Sequence, residues 1–267
     1  MKTKIADASA AGPRAMSRVL KLFDLLARNR GGLTLSAISS ALDVPKSTFL
    51  ASLRALVADG FLLAEGNLYR LGPNAFRLAG SILSSWSMPD IVRHYVRHLA
   101  SETGESVGFA IADWEIGQVI YTEAVNSIQP VHYAMRAGLR APIYASASGR
   151  VLLAHATPER RRDYLARTQF KALTPVTKTT PASIEETCDS VRRLGYAASF
   201  GEMLRDTASI AVPVFDSSDA VIGALMVAAP LDRMRSTFRS LLTLVIQSGR
   251  RASGLPDIDV PASDFPG

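Results

Sequence analysis

The chain has 267 residues, 48% of them hydrophobic and 20% charged, with a mean hydropathy of +0.13 and a formal net charge of +6. A chain of this length can bury one large core or two modest ones. Its single cysteine, Cys188, excludes an internal disulfide and a cysteine-based zinc cluster, and no apolar run approaches the roughly twenty residues that span a bilayer. The charge is unevenly placed. Residues 1–80 carry eleven Lys/Arg against five Asp/Glu, and the rest of the chain has nineteen of each.

Residues 1–14 read as a flexible basic arm, with two early lysines but no apolar stretch of the secretory kind. With one cysteine, this points to a reducing cytoplasm. Met16–Arg28 is the first expected helix, with Val19, Leu22, Phe23 and Leu26 on one face, Ser17 placed to cap it and Asn29-Arg30-Gly31-Gly32 ending it. In the stretch LTLSAISSALDVPKSTFLASLRALVADGFLLAEGNLYR, Leu33 to Arg70, Leu35, Ile38 and Leu42 recur at helical spacing behind a Thr34 cap. Asp43-Val44-Pro45 interrupts that helix, and Pro45 suits the first position of a second one. There Phe49, Leu53, Leu56 and Val57 form the apolar stripe and leave Lys46, Ser47, Leu50, Ala51 and Arg54 on other faces. Gly60 closes the helix, and Phe61–Leu63 and Leu68–Leu71 follow as a hairpin around Glu65-Gly66-Asn67, with Arg70 on its second strand.

Helix, turn, helix and wing is an architecture that lays the second helix in a DNA major groove. Helical hairpins of this size also occur in unrelated folds. The charge decides between the two, because neutralising phosphates needs such an asymmetry and packing a core does not.

The segment 74–103 reads as two apolar helices linking the domains, 15–73 on one side and 104–252 on the other. His94, His98 and Glu102 recur every four residues on the second helix, a spacing that suits metal ligands. With no second ligand cluster nearby, a solvated helix face is the simpler reading, and no metal or cofactor is expected. Beyond Glu105, Val107–Ala112, Gln118–Glu123 and Val131–Arg136 read as strands. Pro142–His155 reads as a small-residue loop turning into a helix, and Pro158–Ala166 and Ser183–Leu194 as helices. A long irregular segment then precedes the hairpin Ser209–Phe215 and Val221–Ala228, the helix Pro230–Ser248 and a loose tail over 253–267. Strands with flanking helices make this an α+β, sensor-type domain.

Four stretches carry a resemblance: LTLSAISSALDVPKSTFLASLRALVADGF, TGESVGFAI, RAGLRAPIYASASGRVLLAH and GYAASFGEMLRDTASIAVPVFDSSDAVIGALMVAAP. In this order they resemble the IclR family of bacterial transcriptional regulators, from about Ser17 to about Gly249. The resemblance implies an N-terminal winged helix-turn-helix, a dimerising linker helix and a C-terminal effector-binding domain of GAF-like build. It also implies a homodimer or dimer of dimers on a double-stranded operator, answering to a small organic acid. Pro45, Lys46, Ser47 and Thr48 match the start of the family's recognition helix, whose amides and hydroxyls suit phosphates and base edges. Ala51 stands where many members carry an arginine able to read guanine, which shifts the contact onto Lys46, Arg54 or the arm, with Arg70 a further DNA-binding candidate on the wing.

The resemblance further places an effector pocket at Ala147, Ser148 and Gly149, along Ser199, Glu202 and Ser209, and at Met226 and Ala228 on the last strand. Met226 and Ala228 cannot hydrogen-bond a carboxylate. An acid with an apolar or aromatic body, held at its polar end by Ser148, Ser209 or backbone amides, is therefore expected. An enzyme reading finds little. Ser146 and Ser148 lack the G-x-S-x-G spacing of a nucleophile elbow, no partner singles out His132 or His155 as a base, and phosphate-loop, dinucleotide and H-E-x-x-H motifs are missing. A sensor or interaction module that binds no specific DNA is the other alternative.

Overall fold

A computed structural model describes residues 11–85 and 88–260, which divide between Ser87 and Met88 into two compact units. The first holds α1 (Ala11–Arg28), β1 (Leu33–Thr34), α2 (Leu35–Leu42), α3 (Lys46–Ala58), β2 (Leu62–Glu65), β3 (Leu68–Leu71) and α4 (Pro73–Ser85). Leu22, Leu26, Ile38, Val44, Phe49, Leu53 and Leu62 form its core; apart from Val44 in the turn and Leu62 on β2, these are the residues that the helical spacing selects. Thr34 caps α2 as expected, its hydroxyl accepting the Ala37 amide at 3.2 Å. Asp43 takes a left-handed conformation (φ 49°), and the Ser39 hydroxyl donates to the Val44 carbonyl, fixing the turn into α3. Pro45 caps α3 from just outside the helix and is not its first helical residue.

Two differences from expectation appear here. Helix α1 begins at Ala11, five residues before Met16, because Pro13 falls in a first turn whose amides have no helical acceptor to lose. The expected arm is thus helical over 11–14, and its residues 1–10 lie outside the described residues. The wing also gains a third strand, Leu33–Thr34 pairing with Tyr69 and Leu68.

The second unit comprises α5 (Met88–Thr103), β4 (Ser106–Asp113), β5 (Gln118–Val125), β6 (Arg140–Pro142), α6 (Ala147–Ala154), α7 (Pro158–Arg167), α8 (Pro181–Leu194), β7 (Ala197–Phe200), β8 (Thr207–Phe215), β9 (Val221–Pro230) and α9 (Leu231–Ala252). Its six strands form an antiparallel sheet in the order β6-β5-β4-β9-β8-β7. Helices α5 and α9 cover one face, over Val107, Phe109, Ile210, Val212, Leu225 and Val227. Helices α6 and α8 cover the other, over Ala110, Tyr121, Ala211, Ala224, Met226 and Ala228. Successive β9 residues alternate between these two cores, as strand geometry requires.

Helices α4 and α5, expected as a linker pair, fall one in each unit. Val92, Val96, Leu99 and Ala100 bury α5 in the second core. Val131–Arg136 is not a strand, because the free edge of β5 is taken by β6 through Gln118↔Pro142 and Ile120↔Arg140. The alternation that suggested a strand arises where an irregular crossing turns Tyr133 and Met135 toward the core. The supposedly irregular segment after Tyr196 contains β7, a short edge strand whose pattern of small residues is weak. Helix α9 runs to Ala252, and the expected tail folds back: Arg251 pairs with Asp257 at 2.6 Å, and Val260 packs on the core. Among the described residues no helix is long and apolar enough to cross a membrane.

Candidate functional site

In the first unit, Phe49 and Leu53 turn into the core and leave Lys46, Ser47, Ala51 and Arg54 on the exposed side of α3. Ser47, Ala51 and Arg54 lie three and four residues apart, so they share a face. No side chain caps the α3 N-terminus, so its first-turn amides face outward beside Lys46, an arrangement that attracts phosphate. The side chain of Thr48 lies outside the described residues. Arg70 is already engaged: its Nε donates to the Gly31 carbonyl at 3.0 Å and its guanidinium pairs with Glu65 at 3.1 Å. It braces the wing against the loop after α1.

In the second unit, the register sets Ser199 opposite Ser209 and Ser209 opposite Ala228 across β7, β8 and β9. Directly opposed residues point to the same side of a sheet, so these three form a small-residue row beneath α6. Over them lies a narrow cavity lined by Tyr121, Tyr133, Ser146, Met203, Leu204, Thr207 and Met226 as well. Its free space is about 20 Å³, room for a single water. Every polar group in this lining is a neutral hydroxyl. Burial pushes the Tyr121 phenol far up, with the neighbouring Ser148 hydroxyl acting in the opposite direction, and burial also raises Tyr133, so both stay protonated.

Of the eight expected pocket residues, Ser199, Ser209, Met226 and Ala228 line this cavity. Ser148 is fully buried beside it, close to the Tyr121 phenol, and by geometry its Oγ completes no hydrogen bond among the described residues. Ser146, not Ser148, caps α6, accepting the Gly149 amide at 3.1 Å. Ala147 and Gly149 face away from the cavity into packing. A Cβ on Gly149 would stand 2.3 Å from the Ile143 carbonyl oxygen, so glycine there permits the close approach of α6 to the preceding chain.

Glu202 does not line the cavity either. Its carboxylate grips Arg150, which is 1% exposed, through two hydrogen bonds, one of 2.6 Å from Nη1. Arg150 Nε also donates to the Tyr144 carbonyl at 2.9 Å. A buried ion pair of this kind is tolerable only when every charge is matched. Thr177 and Thr174 donate to the Glu202 and Gly201 carbonyls at 2.6 and 2.8 Å. The 201–206 loop is therefore anchored at Glu202 while its next residues, Met203 and Leu204, form the cavity wall.

No histidine lines the cavity. Cys188 is buried, and that burial pushes its thiol up to about 11, far from a reactive thiolate. Along α5, His94 and His98 stack with ring centroids 6.1 Å apart, and His98 sits 3.5 Å from Glu102. Among the described residues no group of three such side chains converges on a metal position.

Family models complete the argument. The IclR helix-turn-helix domain matches residues 15–66, and the bacterial transcriptional regulator IclR C-terminal domain matches residues 80–253. The chain belongs to the IclR family. It is a transcriptional regulator with a helix-turn-helix DNA-binding domain and an effector domain, and not an enzyme. Among curated IclR-family relatives, the HTH-type transcriptional regulator BhcR of Paracoccus denitrificans is 29% identical over 91% of this chain and 88% of its own length. The transcriptional repressor IclR of Escherichia coli is 27% identical over 87% and 86%. The crystal structure of a putative IclR regulator from Silicibacter superposes with a TM-score of 0.77 at 28% identity, covering 93% of this chain and 99% of that one.

The cavity residues that sequence reasoning missed are Tyr121, Tyr133, Ser146, Met203, Leu204 and Thr207. Tyr121 had a readable signal, since it follows Val119 on the inward side of β5. Ser146, Met203, Leu204 and Thr207 fall within the stretches 145–149 and 199–209 that the family resemblance points to. Tyr133, on an irregular crossing, carries no pattern.

Proposed function

We propose that this IclR regulator binds an operator through Lys46, Ser47, Thr48 and Arg54 of α3, and releases or engages it according to a small molecule in the hydroxyl-lined cavity. The observation that carries this reading is the cavity itself. Apolar Met203, Leu204, Met226 and Ala228 alternate there with hydroxyls, and no ionised side chain is present. Such a wall favours an organic acid with an apolar, aromatic body over a small, strongly hydrated dianion. Its polar end falls to Ser199, Ser209, Ser148 and the amides at the start of α6.

The free space is smaller than any organic acid, so binding has to displace Met203 and Leu204 and with them the loop held by Glu202. That displacement is the proposed link from ligand to protein conformation. A homodimer or dimer of dimers is supported by apolar side chains left outside the first unit's core, Met16 (74% exposed) and Leu20 on α1 with Phe76 (66%) and Leu78 on α4. Reading an operator places the protein in the cytoplasm.

Fluorescence anisotropy of the chain's own upstream DNA, titrated at two salt concentrations with and without aromatic and short aliphatic acids, tests the proposal. Tight, salt-dependent, competitor-resistant binding shifted by an aromatic acid is expected. Binding no tighter than to random duplex, or a response to two-carbon acids alone, contradicts it.

A further inference from the structure

The second unit contains another cavity, and no lining residue is common to it and the hydroxyl-walled one. About 280 Å³ opens between the C-terminal ends of α6 and α8, β8, the last turns of α9 and the returning segment Ser253–Val260. Its walls are Val212, Phe215, Ile246, Leu255, Ile258 and Val260. His155 lines it, and the ring's Nε2 is covered and has no hydrogen-bond partner among the described residues; the ring stands edge-on to Phe215 at 5.6 Å. Burial, reinforced by Arg192, holds this imidazole below its usual range, so it is neutral at pH 7.

Two arginines, Arg192 and Arg250, also line the cavity. Arg192 donates to the Ala154 carbonyl at 3.0 Å and pairs with Asp189. Asp257 is held by Arg251, and Arg250 Nε donates to the Pro256 carbonyl at 2.7 Å. Three helix C-termini, each with outward carbonyls, also meet here, which disfavours a full negative charge.

An apolar chamber of this size with one unpaired, neutral hydrogen-bonding atom fits a compact apolar molecule bearing one neutral hydroxyl. We infer that this cavity is a second small-molecule site of the effector domain, taking a phenol-class ligand whose ring packs on Phe215 and Ile246 and whose hydroxyl pairs with His155 Nε2 as the imidazole turns into the chamber. The site is independent of the effector cavity in its walls. The returning segment, with Leu255 and Ile258, forms its outer side.

The full chain titrated with 4-fluorophenol and followed by ¹⁹F NMR tests this. A bound-state signal is expected that is lost in Ile258→Trp, where the added bulk enters from a residue 46% exposed and spares the core. The same signal is expected to survive in Ala228→Phe, which fills the other cavity. Fluorobenzene should bind about ten-fold more weakly, the worth of one hydrogen bond, and His155→Phe should bring the two ligands to within about two-fold. The inference is overturned by absence of a bound signal, by a signal that persists in Ile258→Trp or vanishes in Ala228→Phe, or by fluorobenzene matching 4-fluorophenol in the unaltered protein. Tighter binding of 4-fluorobenzoate than of 4-fluorophenol also overturns it, since the head group would then be an anion.

Discussion

The two faces of the six-stranded sheet are built from the same strands and do opposite work. Toward α5 and α9 the strands present Val, Ile, Leu and Phe, with Phe238, Leu241, Leu242 and Val245 answering from α9. Toward α6 they present Ala, Ser, Gly, Tyr and Met, and there the domain holds its narrow cavity, its orphaned Ser148 hydroxyl and the buried Arg150–Glu202 pair. Strand alternation is what allows this division. Each β8 and β9 residue that stabilises the α9 side has neighbours free to serve the α6 side. The close-packed aliphatic face supplies stability, and the small, polar face gives up packing for the narrow cavity proposed to admit a ligand.

Substitutions break that comparison in order of size. Glu202→Ala leaves Arg150 charged and alone in the interior, and should cost about 3–5 kcal/mol of unfolding free energy. Pairing Arg150→Met with Glu202→Leu should restore most of that loss in urea titrations while altering the effector response, because the 201–206 loop loses its anchor. Leu225→Ala, on the α9 side, should cost about 2–5 kcal/mol and leave effector affinity unchanged in the folded fraction. Its neighbour Met226→Ala should cost less, since it borders free space already, yet change effector affinity. Equal effects of the two on affinity would erase the distinction between the faces.

Ser209→Ala should leave stability within about 1 kcal/mol of the parent and weaken the effector about ten-fold, measured by calorimetry. The smallest effect belongs to His155. Its imidazole is held neutral by burial and Arg192, below the ordinary value near 6.5. Above that value its contribution is fully present. As pH falls through it the unfolded chain takes a proton that the native chain refuses, so stability declines. Urea midpoints between pH 7 and pH 5 should fall less steeply in His155→Phe than in the parent.

Much of this was legible beforehand. The helix-turn-helix core follows from Leu22, Ile38, Phe49 and Leu53 recurring at helical spacing, and the charge excess marks the unit that faces DNA. Four of the eight expected pocket residues line the cavity, and three of them, Ser199, Ser209 and Ala228, meet through strand pairing that no local pattern encodes. That Glu202 is paired and lies outside this cavity's lining could not be read beforehand, because its partner, Arg150, lies 52 positions away. Val131–Arg136 reads as a strand because Tyr133 and Met135 alternate inward, yet no neighbouring strand is there to pair with. The cavity beside His155 was invisible, since it depends on a C-terminal segment whose composition suggests a loose tail.

The most direct test of the account is reciprocal linkage. The affinity for operator DNA is measured with and without a saturating aromatic acid, and the affinity for that acid with and without operator. The same factor is expected in both directions, about 5- to 150-fold, and is expected to be lost in Ala228→Phe with DNA binding intact. An acid that binds the effector domain while leaving operator affinity unchanged would contradict it.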